Sequence, residues 1–332
     1  MKLYVGCDLG GTNLRAALVD VENGRVLLQK ATATLARQGP EAVMQRMAAL
    51  ILQVIKESGY TTGEVQGIGI GAPGLLDLEK GETLFLTNFA GHWPHVPVCA
   101  TIQRLTSIPT AIINDVRAIT YGEWRFGAGQ GVETMVVLAL GTGVGGGLVI
   151  NGQLHLGLSG SAGELGHIVL DPNGPRCGCG NYGCLEVYAS GPAIASLGVK
   201  MVAQGLATRI AELCEGDYNR ITAALIAQAA REGDPIATEI FERAGQALGR
   251  AAAMLCVALS PQRIVLTGGV ARAGDLLLEP MQQTMRRLVR VVPVEQVELV
   301  LGTLGDQAGV IGAACFAAQS YRYPRIDANR RE

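Results

Sequence analysis

The sequence predicts an α/β protein of two lobes built to one plan, on three observations. The chain has 332 residues, which suits two domains of moderate size better than one. A strand, a Gly-rich turn with a Thr and a returning strand occur near Asp8 and again near Thr142. Strand-like stretches and stretches with helical spacing follow both turns, which favours two related halves with a nucleotide between them.

The first half is predicted to open with three strands and a helix. Alternating apolar residues indicate strands over residues 3–7, 14–20 and 26–33, with the first turn at residues 8–12. Apolar residues at helical spacing predict a helix over residues 41–58, which Gly59 ends. Two buried strands follow at residues 65–70 and 111–113. The first leads into the segment 71–74 and the second into Asn114-Asp115, so both end in residues suited to a site.

The second half repeats the opening pattern and then becomes helical. A strand over residues 135–140 leads into the Gly-rich turn 141–147, a strand over 148–150 and a turn at Asn151-Gly152. A long helix is predicted over residues 236–259. One strand, residues 263–266, runs into Thr267-Gly268-Gly269, and a helix over residues 308–319 closes the chain.

Composition and charge exclude several classes of protein. Hydrophobic residues make up 48% of the chain, but polar or small residues interrupt the apolar runs before the roughly 18 residues that a membrane helix requires. The N-terminus lacks the pattern of a signal peptide, so we expect a cytoplasmic protein with no membrane partner. The net charge is −2 without a concentrated Lys/Arg block, which predicts no nucleic-acid partner. The basic tail at residues 322–331 is expected to be solvated.

The two Gly-rich turns are candidates for phosphate binding. Glycines let backbone N–H groups approach an anion closely, and a Thr hydroxyl adds a donor. Each turn on its own is equally consistent with a tight hairpin that binds nothing. The presence of two such turns favours a binding site for a triphosphate. The turns match neither the P-loop, because no Gly-Lys-Ser/Thr follows the glycines, nor the dinucleotide fingerprint, because strands rather than helices follow them.

His167, Cys177, Cys179 and Cys184 form the most specific pattern in the chain. One imidazole and three thiolates can surround a tetrahedral zinc ion, and four protein ligands leave no position for a reacting water, so the predicted zinc is structural. The alternative is a set of unliganded thiols. The other five cysteines, Cys7, Cys99, Cys214, Cys256 and Cys315, lie in apolar surroundings and are predicted to be core residues.

Asp115 is the candidate general base for phosphoryl transfer. It follows a buried strand, which would hold its carboxylate rigidly while it accepts the proton of an attacking hydroxyl. The residues alone are equally consistent with a helix N-cap at this position. Asp8 is predicted to orient hydrated Mg²⁺, which keeps several waters and uses few carboxylates; the alternative is a turn-forming Asp.

Three motifs resemble those of the ROK sugar kinases: Asp8-Leu9-Gly10-Gly11-Thr12-Asn13, the segment 140–147, and Thr267-Gly268-Gly269. The resemblance covers almost the whole chain. It implies the actin-like ATPase fold, related to hexokinase and ribonuclease H, with two lobes and a cleft between them. It further implies that Asp8, Gly10, Gly11 and Thr12 hold the γ-phosphate of ATP and Mg²⁺, that Thr142 and Gly143 hold phosphates, and that Gly268 and Gly269 lie by the adenosine.

The same resemblance implies the sugar ligands and supports the zinc site and the base. ROK kinases place a catalytic Asp in an Asn-Asp pair, which corresponds to Asn114 and Asp115, and they carry the His-plus-three-Cys zinc loop. The residues that the resemblance assigns to sugar are Gly74, Asn88, Asn114, Asp115, Glu164, His167 and Glu186. The segment from Asn88 to Trp93 has one residue more than the family pattern, and Trp93 is expected to pack beneath the loop. The resemblance implies a small residue or Asn at the position of Arg117. This departure leaves the predicted base Asp115 intact, but the family's local contacts to sugar or phosphate do not carry over at this position.

The resemblance implies an ATP-dependent hexose kinase, with glucose as the first choice of sugar. N-acetylmannosamine and fructose kinases share most of these residues and remain alternatives. A sugar-sensing ROK repressor is disfavoured because Asp8 lies too near the first residue for an N-terminal DNA-binding module. A catalytically silent sugar-binding protein is disfavoured because Asp8, Thr12, Asp115 and Thr142 are all present. The predicted lobes are residues 1–115 with 306–332, and residues 116–305, and the family resemblance implies a homodimer or homotetramer.

Overall fold

A computed structural model describes residues 1–87 and 89–320 of the chain. Asn88, a predicted sugar ligand, and the basic tail at residues 322–331 lie outside the described residues. The chain folds into two compact units. Among the described residues, unit 1 contains 1–130, 154–162 and 303–320, and unit 2 contains Gly131–Gln153 and Gly163–Gly302.

The strands and helices that have predicted bounds agree closely with the structure, which adds short elements and two longer helices, at Gly191–Ala203 and Asp275–Leu288. The strands run over Leu3–Leu9 (β1), Asn13–Asp20 (β2), Arg25–Ala33 (β3), Val65–Ala72 (β4), Leu75–Asp77 (β5), Glu82–Phe85 (β6), Thr110–Asn114 (β7), Met135–Leu140 (β8), Val144–Ile150 (β9), Gln153–Leu154 (β10), Arg263–Thr267 (β11) and Glu298–Leu301 (β12). The helices run over Gly39–Glu57 (α1), Val98–Thr106 (α2), Asp115–Phe126 (α3), Glu186–Ala189 (α4), Gly191–Ala203 (α5), Arg209–Leu213 (α6), Ala223–Arg231 (α7), Pro235–Leu259 (α8), Asp275–Leu288 (α9) and Ala308–Ser320 (α10).

The two main sheets have the same topology. Their strand orders are β3-β2-β1-β4-β7 and β10-β9-β8-β11-β12. In each, three consecutive strands lie on one side, and the first of them pairs in parallel with a strand from later in the chain. The structure therefore confirms the sequence prediction of two halves built to one plan.

Helices cover both faces of the unit 1 sheet. Neighbouring residues of a strand point to opposite faces. Accordingly, Val5 packs in the core beneath α1 and α2, whereas Tyr4 packs in the core beneath α3 and α10. The α10 backbone lies directly on the sheet, because a Cβ atom at Gly6 or Gly69 would overlap a carbonyl oxygen of that helix.

Unit 2 buries its own core around α8. Asp234 caps the N-terminus of this 25-residue helix by accepting the Ala237 N–H. Phe241 and Leu248 of α8 pack with Met281 of α9 and Leu266 of β11 in one apolar cluster.

Among the residues that the structure describes, none of the helices has the length and apolar character needed to cross a membrane.

Two details of the predicted turns are wrong. Asp8 and Leu9 belong to β1, and residues 144–147 belong to β9, where Gly147 pairs with Val137 and Val144 with Leu140. The second turn is therefore only three residues long. The glycines of β9 are paired with β8 like the other residues of the strand. Because glycine has no side chain, the segment around Leu165 can lie close to this strand: a Cβ on Gly146 would come within 2.5 Å of Leu165.

The division of the chain also differs from the predicted lobes. Helix α3 was assigned with residues 116–305, but it lies in unit 1. A Cβ atom on Gly312 of α10 would overlap the carbonyl oxygen of Ala118 in α3, so the two backbones touch. This close packing keeps α3 with the sheet that it follows.

Candidate active site

In unit 1 the predicted site residues follow three neighbouring parallel strands. Asp8 lies near the carboxyl end of β1, Gly74 follows β4, and Asn114 ends β7. In the sheet register Asp8 pairs with Gly71, and Ala72 pairs with Asn114. Asp8 and Asn114 are thus two strand spacings apart, or about 10 Å.

Asn114, not Asp115, is the N-cap of α3. The backbone N–H groups of Val116 and Arg117 donate to Asn114 Oδ1 over 3.0 and 3.3 Å, and Asn114 Nδ2 donates to the Gly74 carbonyl over 3.2 Å. Asp115 is the first helical residue and also accepts the Val116 N–H, over 2.8 Å. The alternative that Asp115 is the N-cap is therefore wrong, because the cap is the preceding residue. The half-buried carboxylate of Asp115 is held at the start of the helix.

Asp8 has a cationic partner that the sequence analysis missed. Arg15 Nη1 lies 3.1 Å from Asp8 Oδ2. Burial raises the pKa of Asp8, the Arg15 guanidinium opposes this, and the net direction is upward. Asp8 and Arg15 lie directly opposite each other on β1 and β2. A hairpin with its turn at residues 10–12 has this register, so the register could have identified Arg15 as the partner of Asp8.

The first Gly turn is braced from outside the hairpin. Gly10 N–H donates to the Asn13 carbonyl over 3.0 Å, and the Thr34 hydroxyl donates to the Gly10 carbonyl over 2.6 Å. A Cβ on Gly10 would lie 2.8 Å from the Asn13 oxygen, so a larger residue would strain the turn. Gly11 is partly exposed and Thr12 is exposed, which leaves both accessible to an anion.

In unit 2 the second and third predicted motifs lie at one edge of the sheet. Thr142 and Gly143 follow β8, and Gly268 and Gly269 follow β11, its parallel neighbour. Gly268 has φ of +92°, and a Cβ there would overlap the Leu140 carbonyl oxygen. Only glycine suits this position, because it combines a left-handed backbone with a close approach to β8.

Unit 2 also brings together the four predicted metal ligands. One donor atom from each of His167, Cys177, Cys179 and Cys184 lies within 4.8 Å of the others. Cys179 Sγ is 3.8 Å from Cys184 Sγ, and Cys177 Sγ is 3.7 Å from His167 Nδ1. Tetrahedral zinc with Zn–S of about 2.3 Å and Zn–N of about 2.0 Å requires separations of about 3.8 and 3.5 Å. The cluster therefore fits a tetrahedral ion, and zinc as the bound ion stays a prediction.

The thiols of this cluster differ in acidity. Burial raises the pKa of Cys177 and raises that of Cys184 to about 12. The Asn181 backbone N–H lowers the pKa of the exposed Cys179. Without a metal, the two buried thiols therefore hold their protons at neutral pH, and a bound cation must displace them. Of the other five cysteines, Cys7, Cys214, Cys256 and Cys315 are buried as predicted, whereas Cys99 is only partly buried.

Glu186 lies between the second turn and the metal cluster. Its Oε2 accepts the Val144 N–H over 3.0 Å, and its Oε1 lies 3.8 Å from Cys177 Sγ. Glu164 is exposed and immediately precedes a short 3-10 helix that carries His167. The structure thus brings Glu186 and the metal ligands together within unit 2, while Asp8, Gly74, Asn114 and Asp115 lie at one sheet edge of unit 1.

The two sheets of one topology form the fold of the actin-like ATPases, and the Cys/His cluster could hold a metal ion. A sequence model of the ROK family matches residues 4–320, so this chain belongs to the ROK family. It is 38% identical over 315 residues to a glucokinase of Thermotoga maritima, covering 93% of this chain and 95% of that protein. It is 33% identical over 312 residues to an N-acetylmannosamine kinase of Escherichia coli, covering 93% and 96%.

A solved structure extends the likeness to three dimensions. The crystal structure of a ROK family glucokinase from Streptomyces griseus in complex with glucose and AMPPNP superposes with a TM-score of 0.81 at 34% identity. The match covers 96% of this chain and 99% of that one. The predicted family and the predicted actin-like fold are therefore confirmed.

Proposed function

We propose that this chain is an ATP-dependent glucokinase, which converts glucose and ATP to glucose 6-phosphate and ADP. The observation that carries the proposal is the placement of Asp8 and Asp115 at the same edge of the unit 1 sheet, in a chain similar to a glucokinase over 93% of its length. Phosphoryl transfer requires a positioned base and a site for cationic charge, and these two carboxylates supply both.

In the proposed reaction, Asp115 accepts the proton of the sugar 6-hydroxyl as its oxygen attacks the γ-phosphorus of ATP. The bond from the γ-phosphorus to the bridging oxygen breaks, and ADP leaves with that electron pair. Gly10, Gly11 and Thr12, together with Thr142 and Gly143, donate hydrogen bonds to the phosphates. Gly268 and Gly269 lie beside the adenosine. Asp8 would orient Mg²⁺, which would neutralise phosphate charge when bound.

We propose that Glu164, His167 and Glu186, together with Gly74, Asn88 and Asn114, bind the hydroxyls of the sugar. Zinc held by His167, Cys177, Cys179 and Cys184 would fix the loop that carries three of these residues. In the cluster it is Nδ1 of His167 that faces Cys177, so Nε2 would carry the proton and donate to a hydroxyl oxygen. Carboxylates accept hydroxyl hydrogens, which suits Glu164 and Glu186 to the same sugar.

The test is ADP release from Mg-ATP with glucose, N-acetylmannosamine, mannose, fructose and glucosamine, for the wild type and Asp115→Asn. We expect turnover with glucose that falls at least 100-fold in the variant, while calorimetry still detects glucose binding. Preferred turnover of N-acetylmannosamine or fructose would replace glucose as the substrate. No turnover of any sugar by the zinc-loaded wild type would overturn the kinase assignment.

The cytoplasmic location and the homodimer or homotetramer stay predictions. Light scattering coupled to size-exclusion chromatography measures the oligomeric state directly. The tail at residues 322–331 lies outside the described residues, so its expected solvation also stays a prediction.

A further inference from the structure

Arg117 is a charged side chain in the interior of unit 1. Only 2% of its surface is exposed, and it lies two residues after Asp115, at the position where the sequence departs from the family pattern. A buried guanidinium is costly unless its N–H groups are paired. The groups that it contacts therefore indicate what it does.

One edge of the Arg117 guanidinium contacts the helix cap. Arg117 Nη1 donates to Asn114 Oδ1 over 3.0 Å, an oxygen that already accepts the N–H groups of Val116 and Arg117. Three donors thus converge on one amide oxygen, and this fixes which end of the Asn114 amide is oxygen. The nitrogen end carries two N–H groups, of which one donates to the Gly74 carbonyl.

The other edge of the guanidinium holds a separate chain segment. Arg117 Nε donates to the Ala162 carbonyl over 2.8 Å, and Nη2 donates to the Ser161 carbonyl over 3.2 Å. Both carbonyls belong to Leu154–Ala162, a segment of unit 1 that is distant in sequence. The planar fork of arginine reaches these oxygens and Asn114 at once, which the single ammonium of lysine does not.

We propose that Arg117 is a positioning residue that locks Asn114 as a hydrogen-bond donor toward the sugar. Because Oδ1 is occupied by three donors, Asn114 offers the sugar an N–H and recognises a hydroxyl oxygen as an acceptor. This inference rests on the proposed function, in which Asn114 is a sugar ligand. It gives a role to the departure at residue 117: the Arg117 side chain reinforces the orientation that the Val116 and Arg117 backbone N–H groups already give to the Asn114 amide, and holds that amide in place.

The test measures glucose binding by calorimetry and KM for glucose and for ATP in Arg117→Met and Arg117→Lys. The matched control is Arg104→Met, which changes an exposed arginine of α2. Loss of one fixed hydrogen bond predicts about a tenfold weaker glucose Kd and higher glucose KM in both Arg117 variants. KM for ATP should stay within about twofold of wild type, because a lost sugar contact acts on one substrate only.

A second measurement separates positioning from general damage. Fluorine accepts a hydrogen bond weakly and donates none, so at one ring position the wild type should bind fluorodeoxyglucose better than deoxyglucose. That preference should shrink in Arg117→Met. An unchanged preference, an equal rise of both KM values, or wild-type glucose binding in Arg117→Lys would overturn the proposal.

The outcomes also separate this inference from the proposed function. If the wild type binds glucose but transfers no phosphoryl group, the kinase assignment fails and the binding data still decide the role of Arg117. If the wild type binds no sugar, both fail.

Discussion

At the scale of single residues, Gly143 shows how tightly the second turn and Glu186 are built together. A Cβ on Gly143 would overlap Oε2 of Glu186, the atom that accepts the Val144 N–H. Gly143→Ala should push this carboxylate away and break that hydrogen bond, which costs about 1 kcal/mol of stability. We expect kcat/KM for glucose to fall at least about tenfold, because a proposed phosphate turn and a proposed sugar ligand move together.

Gly63→Ala is the control for that prediction. Gly63 lies in a surface turn of unit 1 where an added Cβ would contact one hydroxyl at 4.0 Å. Steady-state kinetics and thermal unfolding of both variants are compared with wild type. Wild-type kcat/KM in Gly143→Ala would mean that the position of Glu186 does not matter for the reaction.

The positions of the candidate site residues could be predicted, but their partners could not. Asp8, Asn114 and Asp115 lie at the carboxyl ends of strands that simple apolar patterning identifies, so their place at a sheet edge can be predicted from the sequence. Arg117 shows the limit. Its surroundings come from a segment more than forty residues away, and a single sequence does not reveal which arginine is buried against which carbonyls.

At the scale of elements, α3 depends on a buried carboxylate at its far end. Glu123 is fully buried and accepts backbone N–H groups from Ala128, Thr303 and Leu304 over 2.9, 3.1 and 3.0 Å. It therefore fixes to the helix that presents Asp115 both the loop that directly follows this helix and a segment distant in sequence. Glu123→Gln should lower the free energy of unfolding by about 2 kcal/mol, because an amide offers one acceptor oxygen where the carboxylate offers two.

The control for Glu123 is Glu242→Gln, which changes an exposed residue of α8. Urea unfolding gives both free energies, and the control should stay within about 0.5 kcal/mol of wild type. Equal stability of Glu123→Gln and wild type would show that the three N–H groups find other acceptors.

Helix α8 should show a pH-dependent cap. Burial alone would raise the pKa of Asp234, but the N–H groups of Ala237 and Arg209 donate to its carboxylate and the net direction is downward. A lowered folded-state pKa contributes stability above the unfolded value of about 3.9, and this contribution is lost as pH falls toward the folded value. Wild type should therefore exceed Asp234→Asn in urea midpoint at pH 7, and the gap should shrink below pH 4 or so. A gap that widens in acid would contradict this.

The long elements with predicted bounds, such as α1, α8 and α10, agree with the structure within about two residues, whereas α5, α9 and the short strands had no predicted bounds. Helix α8 and strand β8 have many apolar residues at regular spacing, so their pattern is unambiguous. Strands β5, β6 and β12 have three or four residues each, too few to show a period. The glycines of β9 favour a turn by their own propensity, and their place in a strand depends on pairing with β8, which the sequence of this segment does not show.

At the scale of the whole molecule, the metal cluster should couple stability to sugar binding. The four ligands come from a loop with little regular structure in unit 2, so a bound ion supplies order that packing does not. We expect native mass spectrometry to find one zinc ion per chain. Chelation should lower the thermal midpoint, weaken glucose binding at least about tenfold, and make Cys179, the exposed ligand, reactive toward a thiol reagent.

Two variants separate zinc from other effects of the chelator. Cys179→Ser removes one ligand and should reproduce the loss of zinc, thermal stability and glucose affinity without any chelator. Cys99→Ser changes a partly buried cysteine outside the cluster and should keep all three at wild-type values. His167 is both a cluster ligand and a proposed sugar ligand. Loss of the ion should therefore release its ring and weaken sugar binding more than nucleotide binding. Unchanged glucose affinity in the zinc-free protein would mean that the cluster and the sugar site are independent.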